Sequence, residues 1–568
     1  MNTTAVDSAP ATTKEAVVNT LLDLGVEYAF TLPGLGVTWM LDEFYKTRHQ
    51  LRVVLARSEQ TASIMAQVVG RLTGKPGVYM GQGPFASTTG AFGILEAYFA
   101  GSPMVVLTDT SCYDGFGMHG VYQTMTGDYG AADVRTILKT MTKATWYATE
   151  PHESIYALQQ AYKQAELPRQ GPCAVVLKSS IIKRELGNQT RVTNYPSRGY
   201  LRASMPQPDP SAVRELTRLL SEANRPVLIA GNGMQNTRGR ALVAQFASKF
   251  GVAVATSYNG KGIVDETSEV AVGMLGTWGM KSANQAVRDA DLIIAVGASL
   301  GADYIRFREP DFIRPGDQTI AQIDIDPRHA GWVYPVDLSI CADGSDVLGQ
   351  LLEHSADDTQ RNSRLAWISG LQAAHPVQAP AGNAAPGTLE NAEIIQALDQ
   401  FLTPDDMLTL DAGTNRIWAT TSLKIRTPGQ LIVPGGAGGM GWGAPAAAAT
   451  KLVHPEKNVI CLTGDGGFAM TMNVMATCVQ ENLPITVVVA NNAGLGMVRD
   501  NLRDRRIAVD FSATDFARIA QGMGCHGVNV TSAEQLSAAL AESRESRLPT
   551  VIDVAVDPAS SHLDVSDY

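Results

Sequence analysis

The sequence lacks the features that mark a nucleic-acid binder, a membrane protein or a disulfide scaffold. Its 568 residues carry 45 Lys and Arg against 56 Asp and Glu, a net charge of −11. No basic patch stands out, which argues against nucleic acid as a partner. No apolar run of about 18 residues occurs, so no membrane-spanning helix is expected. The first residues, 1–14, are small and polar and lack the apolar centre of a signal peptide. A disordered tail is expected over 1–13. The six cysteines, at 112, 173, 341, 461, 478 and 525, show no paired spacing. In a chain of this size that pattern fits reduced thiols and a cytoplasmic setting. The nine histidines include no adjacent pair, and His119 reads as a solvated loop residue.

What is present is a soluble α/β pattern. The hydrophobic fraction is 45% and the charged fraction 18%, ordinary for a globular enzyme. At this length a single core is excluded, and about three domains are expected. Short apolar runs alternate with helix-like stretches three times over. In the middle third, Arg225 to Gly233, Asp291 to Gly297 and Thr319 to Asp326 read as buried strands ending in glycine or aspartate. This alternation predicts three successive domains, each a mainly parallel sheet flanked by helices. The expected domains span 14–186, 210–355 and 388–568. A Pro-rich polar linker is expected over 187–209 and an Ala- and Pro-rich one over 356–387.

The chemistry concentrates near the C-terminal end. Gly464-Asp465-Gly466-Gly467-Phe468 follows the apolar run Lys457 to Thr463, and Asn491-Asn492-Ala493-Gly494 follows the apolar run Pro484 to Ala490. A lone Gly-Asp-Gly is usually only a turn. Two such segments at the ends of successive strands are more specific, because open α/β sheets bind ligands at the carboxyl ends of their strands. The Asp465 carboxylate, the Asn492 amide oxygen and the Gly494 carbonyl are hard oxygens of the kind Mg²⁺ prefers. The glycines allow backbone to approach phosphate.

With Asp411-Ala-Gly-Thr-Asn-Arg-Ile-Trp418, Gly438-Gly-Met-Gly-Trp-Gly443 and Leu495-Gly-Met-Val498, these segments resemble the thiamine-diphosphate enzymes. Along nearly its whole length the chain is most similar to the acetolactate synthase branch. The resemblance implies thiamine diphosphate with Mg²⁺, held in sites shared between the subunits of a homodimer or homotetramer. It assigns the metal to Asp465, Asn492 and Gly494. It assigns diphosphate contacts to Gly413, Thr414, Asn415, Gly464, Gly466 and Gly467, and further cofactor contacts to Leu495, Gly496 and Met497. Gly438 corresponds to a carbonyl that accepts from the aminopyrimidine, and Met440 to the side chain that bends the cofactor. Gly83 and Pro84, in Gly81-Gln-Gly-Pro84, correspond to a turn beside the pyrimidine. Glu59, in Leu55-Ala-Arg-Ser-Glu-Gln-Thr61, corresponds to the carboxyl that activates the cofactor. Gln123 lines up with a glutamine facing the thiazolium and the substrate.

By itself, Glu59 reads as a helix-start acid and Met440 as core packing; the resemblance outweighs both. Simple 2-oxo-acid decarboxylases carry a glutamate where this chain has Val498, which matches the carboligating branch. Asn501 stands where biosynthetic acetolactate synthases carry a tryptophan. The flavin-contacting segment is altered to Ala298-Ser-Leu-Gly-Ala-Asp303, although the Ile323-Asp-Ile-Asp-Pro327 strand end is retained. FAD, ADP or nothing in the central domain therefore stay open. The expected substrates are a 2-oxo acid such as pyruvate and a carbonyl acceptor. A second reading is a 2-hydroxyacyl-CoA lyase or oxalyl-CoA decarboxylase, with Arg499, Arg503, Arg505 and Arg506 as a cationic cluster for CoA. A third, an inactive cofactor-binding subunit, is disfavoured because Glu59, Asp465 and Asn492 occur together.

Overall fold

Every strand pairing within the three sheets is parallel, and the strands are apolar almost throughout. Met104–Asp109, Pro172–Leu177 and Leu292–Val296 are buried along their whole length. That is the pattern of strands covered by helices on both faces. The computed structural model describes residues 12–111, 125–127, 132–186, 194–203, 205–377 and 384–565.

The first sheet contains β1 (Tyr28–Leu32), β2 (Arg52–Leu55), β3 (Gly77–Gly81), β4 (Met104–Asp109), β5 (Ala144–Ala148) and β6 (Pro172–Leu177), in the order β2-β1-β3-β4-β6-β5. The second contains β7 (Pro226–Ala230), β8 (Ala253–Thr256), β9 (Ala271–Met274), β10 (Leu292–Val296), β11 (Thr319–Asp324) and β12 (Leu338–Cys341). The third contains β13 (Asp406–Leu410), β14 (Leu431–Ile432), β15 (Asn458–Gly464), β16 (Thr486–Asn491), β17 (His526–Val530) and β18 (Thr550–Ala555), in the order β14-β13-β15-β16-β18-β17. The first and third sheets thus share one strand order. The second, β9-β8-β7-β10-β11-β12, follows the order of doubly wound dinucleotide-binding folds. The three blocks look alike in sequence, but only the outer two share a topology.

The chain forms two compact units. One comprises residues 1–203, 435–455 and 471–483 and contains the first sheet. The other comprises 204–434, 456–470 and 484–568 and contains the second and third sheets. Among the described residues no helix is long and apolar enough to cross a membrane, and five cysteines are free thiols.

Two expectations are corrected. The span 356–387 is not simply a linker, because helix Asp358–Ala374 occupies much of it. Its Ile368 and Leu371 join the core of the second sheet, and Arg364 is buried, donating to the Leu220, Ala223 and Phe250 carbonyls. The tail expected over 1–13 meets an ordered cap, since the Thr12 hydroxyl accepts from the Glu15 N–H at the start of helix Thr13–Asp23. Between β15 and β16 the chain forms two helices, Asp465–Thr471 and Val474–Glu481.

Within the second unit a buried ion pair ties the loop after β8 to the segment before β14. The Lys261 ammonium lies 2.9 and 2.6 Å from the two Glu266 carboxyl oxygens, and the Ile425 N–H donates to Glu266 at 2.9 Å. Removing one partner of such a pair leaves an uncompensated buried charge. Lys261→Met should therefore destabilise the protein by about 3–5 kcal/mol, read as a lower denaturant midpoint. A midpoint equal to the wild type's would show that the pair adds nothing.

Candidate active site

Strands β13, β15 and β16 are neighbours and parallel, so their carboxyl ends lie at one edge of the third sheet. That edge gathers Asp411 to Asn415, Gly464 to Gly467 and Asn492 to Gly494. Asp465 bridges two of these segments. One carboxyl oxygen accepts from the Gly466 N–H at 2.8 Å and the other from the Gly494 N–H at 2.9 Å. Burial pushes this carboxyl up from its ordinary range, while the two N–H donors and nearby Arg499 act against that. The Asn415 amide donates to the Asp411 and Leu462 carbonyls, joining the other pair. Gly413, at φ +135°, turns the chain into helix Thr414–Ser422.

Two acceptors at this edge are buried without a partner among the described residues: Asn492 Oδ1 and Thr414 Oγ1. Leaving such a group unsatisfied costs about 1–3 kcal/mol. Gly496 keeps the place open. A Cβ there would stand 2.7 Å from Thr414 Oγ1 and 2.9 Å from Asn492 Nδ2. Leu495, Gly496 and Met497 are half-buried beside them. The set suits a hard cation with an oxyanion. No group of three or more His, Cys, Asp or Glu able to hold a metal occurs among the described residues. A cation here would draw on carboxylate, amide, carbonyl and ligand oxygens together.

Arg499 departs from expectation. It is buried, and it donates to the Asn492 carbonyl at 3.1 Å and to the Pro558 carbonyl at 3.2 Å. It braces the Asn492 loop and is not offered to a solvent-borne ligand, whereas Arg503, Arg505 and Arg506 are exposed. Next to it, Asp500 accepts from the Ser561 hydroxyl at 2.8 Å and the His562 backbone N–H at 3.2 Å, and its carboxyl lies 2.7 Å from His562 Nδ1. Burial raises the Asp500 carboxyl, but His562 and Ser561 more than offset it and hold it below its usual range. Val498 and Asn501 are exposed.

The first unit holds the other expected residues. Glu59 opens helix Glu59–Thr73, where Ser58 is the cap, accepting from the Thr61 N–H. The Glu59 carboxyl is half-buried and makes no hydrogen bond among the described residues. Tyr79, fully buried, has its phenol pushed up by burial and, next, by the charge of Glu59. Gly83 and Pro84 are buried at the start of helix Gly83–Ser87. Gly438 and Met440 are half-buried in the loop between β14 and helix Gly443–Val453. Gln123 lies outside the described residues.

One residue missed in the sequence holds the Gly83 turn. Asp109, at the end of β4, accepts from the Gly83 N–H at 3.2 Å, the Ser111 N–H at 3.0 Å and the Ser179 hydroxyl at 2.7 Å. Burial pushes its carboxyl from 3.8 up to about 6 against these donors. A raised carboxyl favours the folded state while protonated. That contribution is complete below about pH 4 and gone above about pH 6, worth up to about 3 kcal/mol. Asp109→Asn removes the titration, so wild type should lose stability relative to the variant as pH rises from 4 to 6. Denaturant midpoints of both proteins across that range check this. A constant gap would show that Asp109 does not titrate there.

In the second unit a pocket is lined by Tyr258, Met274, Thr277, Trp278, Tyr304 and Arg416, among others. The Arg416 guanidinium stands 4.9 Å from the Tyr258 ring centre.

Three family models match along the chain: the thiamine pyrophosphate enzyme N-terminal TPP binding domain over residues 11–131, the central domain over 213–351 and the C-terminal TPP binding domain over 411–554. An acetolactate synthase large subunit from Corynebacterium glutamicum is 30% identical over 563 residues, covering 95% of this chain and 86% of that protein. One from Parasynechococcus marenigrum is 28% identical, covering 95% and 87%. A putative thiamine pyrophosphate-containing protein, YdaP, from Bacillus subtilis is 26% identical, covering 96% and 92%.

Proposed function

The chain belongs to the thiamine pyrophosphate enzyme family, and from that membership we infer a thiamine-diphosphate- and Mg²⁺-dependent, acetolactate synthase-like carboligase. It decarboxylates a 2-oxo acid such as pyruvate and joins the acyl carbon to a second carbonyl. The observation that carries the reading is the pair of unpartnered acceptors, Asn492 Oδ1 and Thr414 Oγ1, beside Asp465. They fit a magnesium diphosphate.

Bound thiamine diphosphate supplies the electron sink for loss of CO₂ and the carrier for the acyl carbon. The chain's own residues do the rest. Asp465, Asn492 and the Gly494 carbonyl would hold Mg²⁺. Gly413 to Asn415, with Gly464, Gly466 and Gly467, receive the diphosphate, and Leu495 to Met497 line the cofactor. Gly83, Pro84, Gly438 and Met440 would hold the pyrimidine end, where Glu59 would share a proton with the ring. Gln123 faces the substrate. Val498 carries no proton to donate at that position, which favours joining two carbonyl substrates over simple decarboxylation. The buried, carbonyl-bound Arg499 weakens the acyl-CoA alternative.

A homodimer or homotetramer with shared sites is part of the same proposal. Phe85, Tyr98 and Phe99 leave 37%, 41% and 51% of their surface exposed on two successive helices of the first unit. The Tyr98 and Phe99 rings are in edge contact, 5.6 Å between centres, and grouped exposed aromatics of this kind suit an association surface. FAD or ADP in the central domain is decided by the visible spectrum and nucleotide content of the purified protein.

The test is an NMR time course with thiamine diphosphate, Mg²⁺ and pyruvate, with and without an added aldehyde. Acetolactate or a mixed acyloin is expected. Acetaldehyde alone would overturn the carboligase assignment. With cofactor bound and pyruvate untouched, 2-hydroxyacyl-CoA thioesters become the next substrates.

A further inference from the structure

Glu96 is a glutamate with none of its surface exposed, in the middle of helix Ala91–Ala100. Among the described residues its side chain pairs with no cation. One carboxyl oxygen accepts from the Gly435 N–H at 2.8 Å and the Gly436 N–H at 2.7 Å. The other accepts from the Ala437 N–H at 2.8 Å and the Gly438 N–H at 3.1 Å. Four consecutive amides converge on one carboxyl group, an arrangement that backbone adopts around an anion.

The loop needs this anchor because it belongs to no helix or strand. Further ties come from within the same unit. The Trp442 indole N–H donates to Gln67 at 3.0 Å, Gln67 donates to Ser102 at 2.9 Å, and the Thr471 hydroxyl donates to the Gly441 carbonyl at 2.8 Å. The glycines let the loop lie flat on the helix. A Cβ at Gly436 would stand 2.4 Å from the Glu96 carbonyl oxygen, and one at Gly439 would stand 2.8 Å from the Phe92 ring. Gly438 itself takes φ +66°. With the four N–H groups turned onto Glu96, the peptide orientation at Gly438 is fixed and Met440 follows two residues on.

We propose that Glu96 is a positioning residue for the pyrimidine end of the cofactor, acting through the backbone of residues 435–438. The inference rests on the proposed function, in which Gly438 and Met440 meet the aminopyrimidine. It adds the residue that sets them. Glu96 touches neither cofactor nor substrate.

Glu96→Gln keeps the shape but replaces one acceptor oxygen with an NH₂ group. Whichever way the amide turns, two of the four N–H groups lose their acceptor. Two ligands separate positioning from general damage. Thiamine diphosphate uses both ends of its site, whereas magnesium pyrophosphate uses only the diphosphate end. In Glu96→Gln, affinity for thiamine diphosphate should fall about 10–100-fold, the usual cost of losing a group that orients a ligand's direct contacts. Affinity for magnesium pyrophosphate should stay within about twofold of wild type. Amide exchange at 435–438 should accelerate in Glu96→Gln, and Glu96→Asp, which keeps both oxygens but sits farther back, should fall between the two. Unchanged cofactor affinity in Glu96→Gln overturns the inference, as does an equal loss of both ligands. If wild type itself binds pyrophosphate but not thiamine diphosphate, the functional reading fails first and this inference falls with it.

Discussion

Glu59→Gln is expected to lower kcat by about 10²–10⁴-fold, the usual worth of a positioned proton-transfer group, while sparing the fold. The reason lies in what Glu59 does not do. It is the first residue of helix Glu59–Thr73, but Ser58 supplies the cap. Among the described residues its carboxyl holds no hydrogen bond. Its structural contribution is then the helix-dipole effect of an acid in the first turn, about 0.3–1 kcal/mol. A glutamine there has nearly the same shape and loses only the ability to hold and share a proton. Circular dichroism and binding of thiamine diphosphate should match wild type, with pyruvate turnover nearly gone. Turnover within a few-fold of wild type would remove Glu59 from the mechanism. Loss of folding together with turnover would show that the half-buried side chain is structural after all.

The parts of this molecule that were legible in the sequence are those written locally. The apolar runs before Gly464 and Asn492 became β15 and β16 within a residue or two, because a buried parallel strand needs uninterrupted apolar residues and a glycine or polar break to end it. The convergence of Asp465 with Gly494 follows from that. Once both segments end neighbouring parallel strands, they must meet at one edge. The strand order of the middle sheet was not legible, because which side a crossover returns on leaves no local pattern. Helix Asp358–Ala374 was hidden by the Ala- and Pro-rich composition that begins at its end. Glu96 and Asp109 were missed for another reason. A buried carboxyl held mainly by backbone N–H groups has no cationic partner side chain to look for, and in Glu96 the donors lie more than three hundred residues away. Arg499 misled in the opposite direction. Four arginines close together suggest an anion site, but Arg499 is buried and donates to the Asn492 and Pro558 carbonyls.

The second large effect is expected at Asp465. Asp465→Asn should weaken Mg²⁺-dependent binding of thiamine diphosphate by more than the roughly 10–100-fold that loss of an outer-shell partner costs, and should abolish turnover. The same change should leave the ligand-free protein as stable as wild type or more so. Asp465 is 4% exposed and, among the described residues, its carboxyl is held by two N–H donors, so burying its charge opposes folding until a cation arrives. An amide is cheaper to bury, although its NH₂ must face one of those donors. The two consequences have opposite signs and separate a ligand from a structural aspartate. Wild type should gain thermal stability when thiamine diphosphate and Mg²⁺ are added, in proportion to how far the ligand exceeds its dissociation constant. Asp465→Asn should show little of that gain while starting from an equal or higher melting temperature. A variant that melts lower without ligand but still gains normally with it would mean that Asp465 supports the Gly464 and Gly494 turns and does not hold the metal. In that case Asn492 Oδ1, the unpartnered acceptor beside it, becomes the principal side-chain ligand.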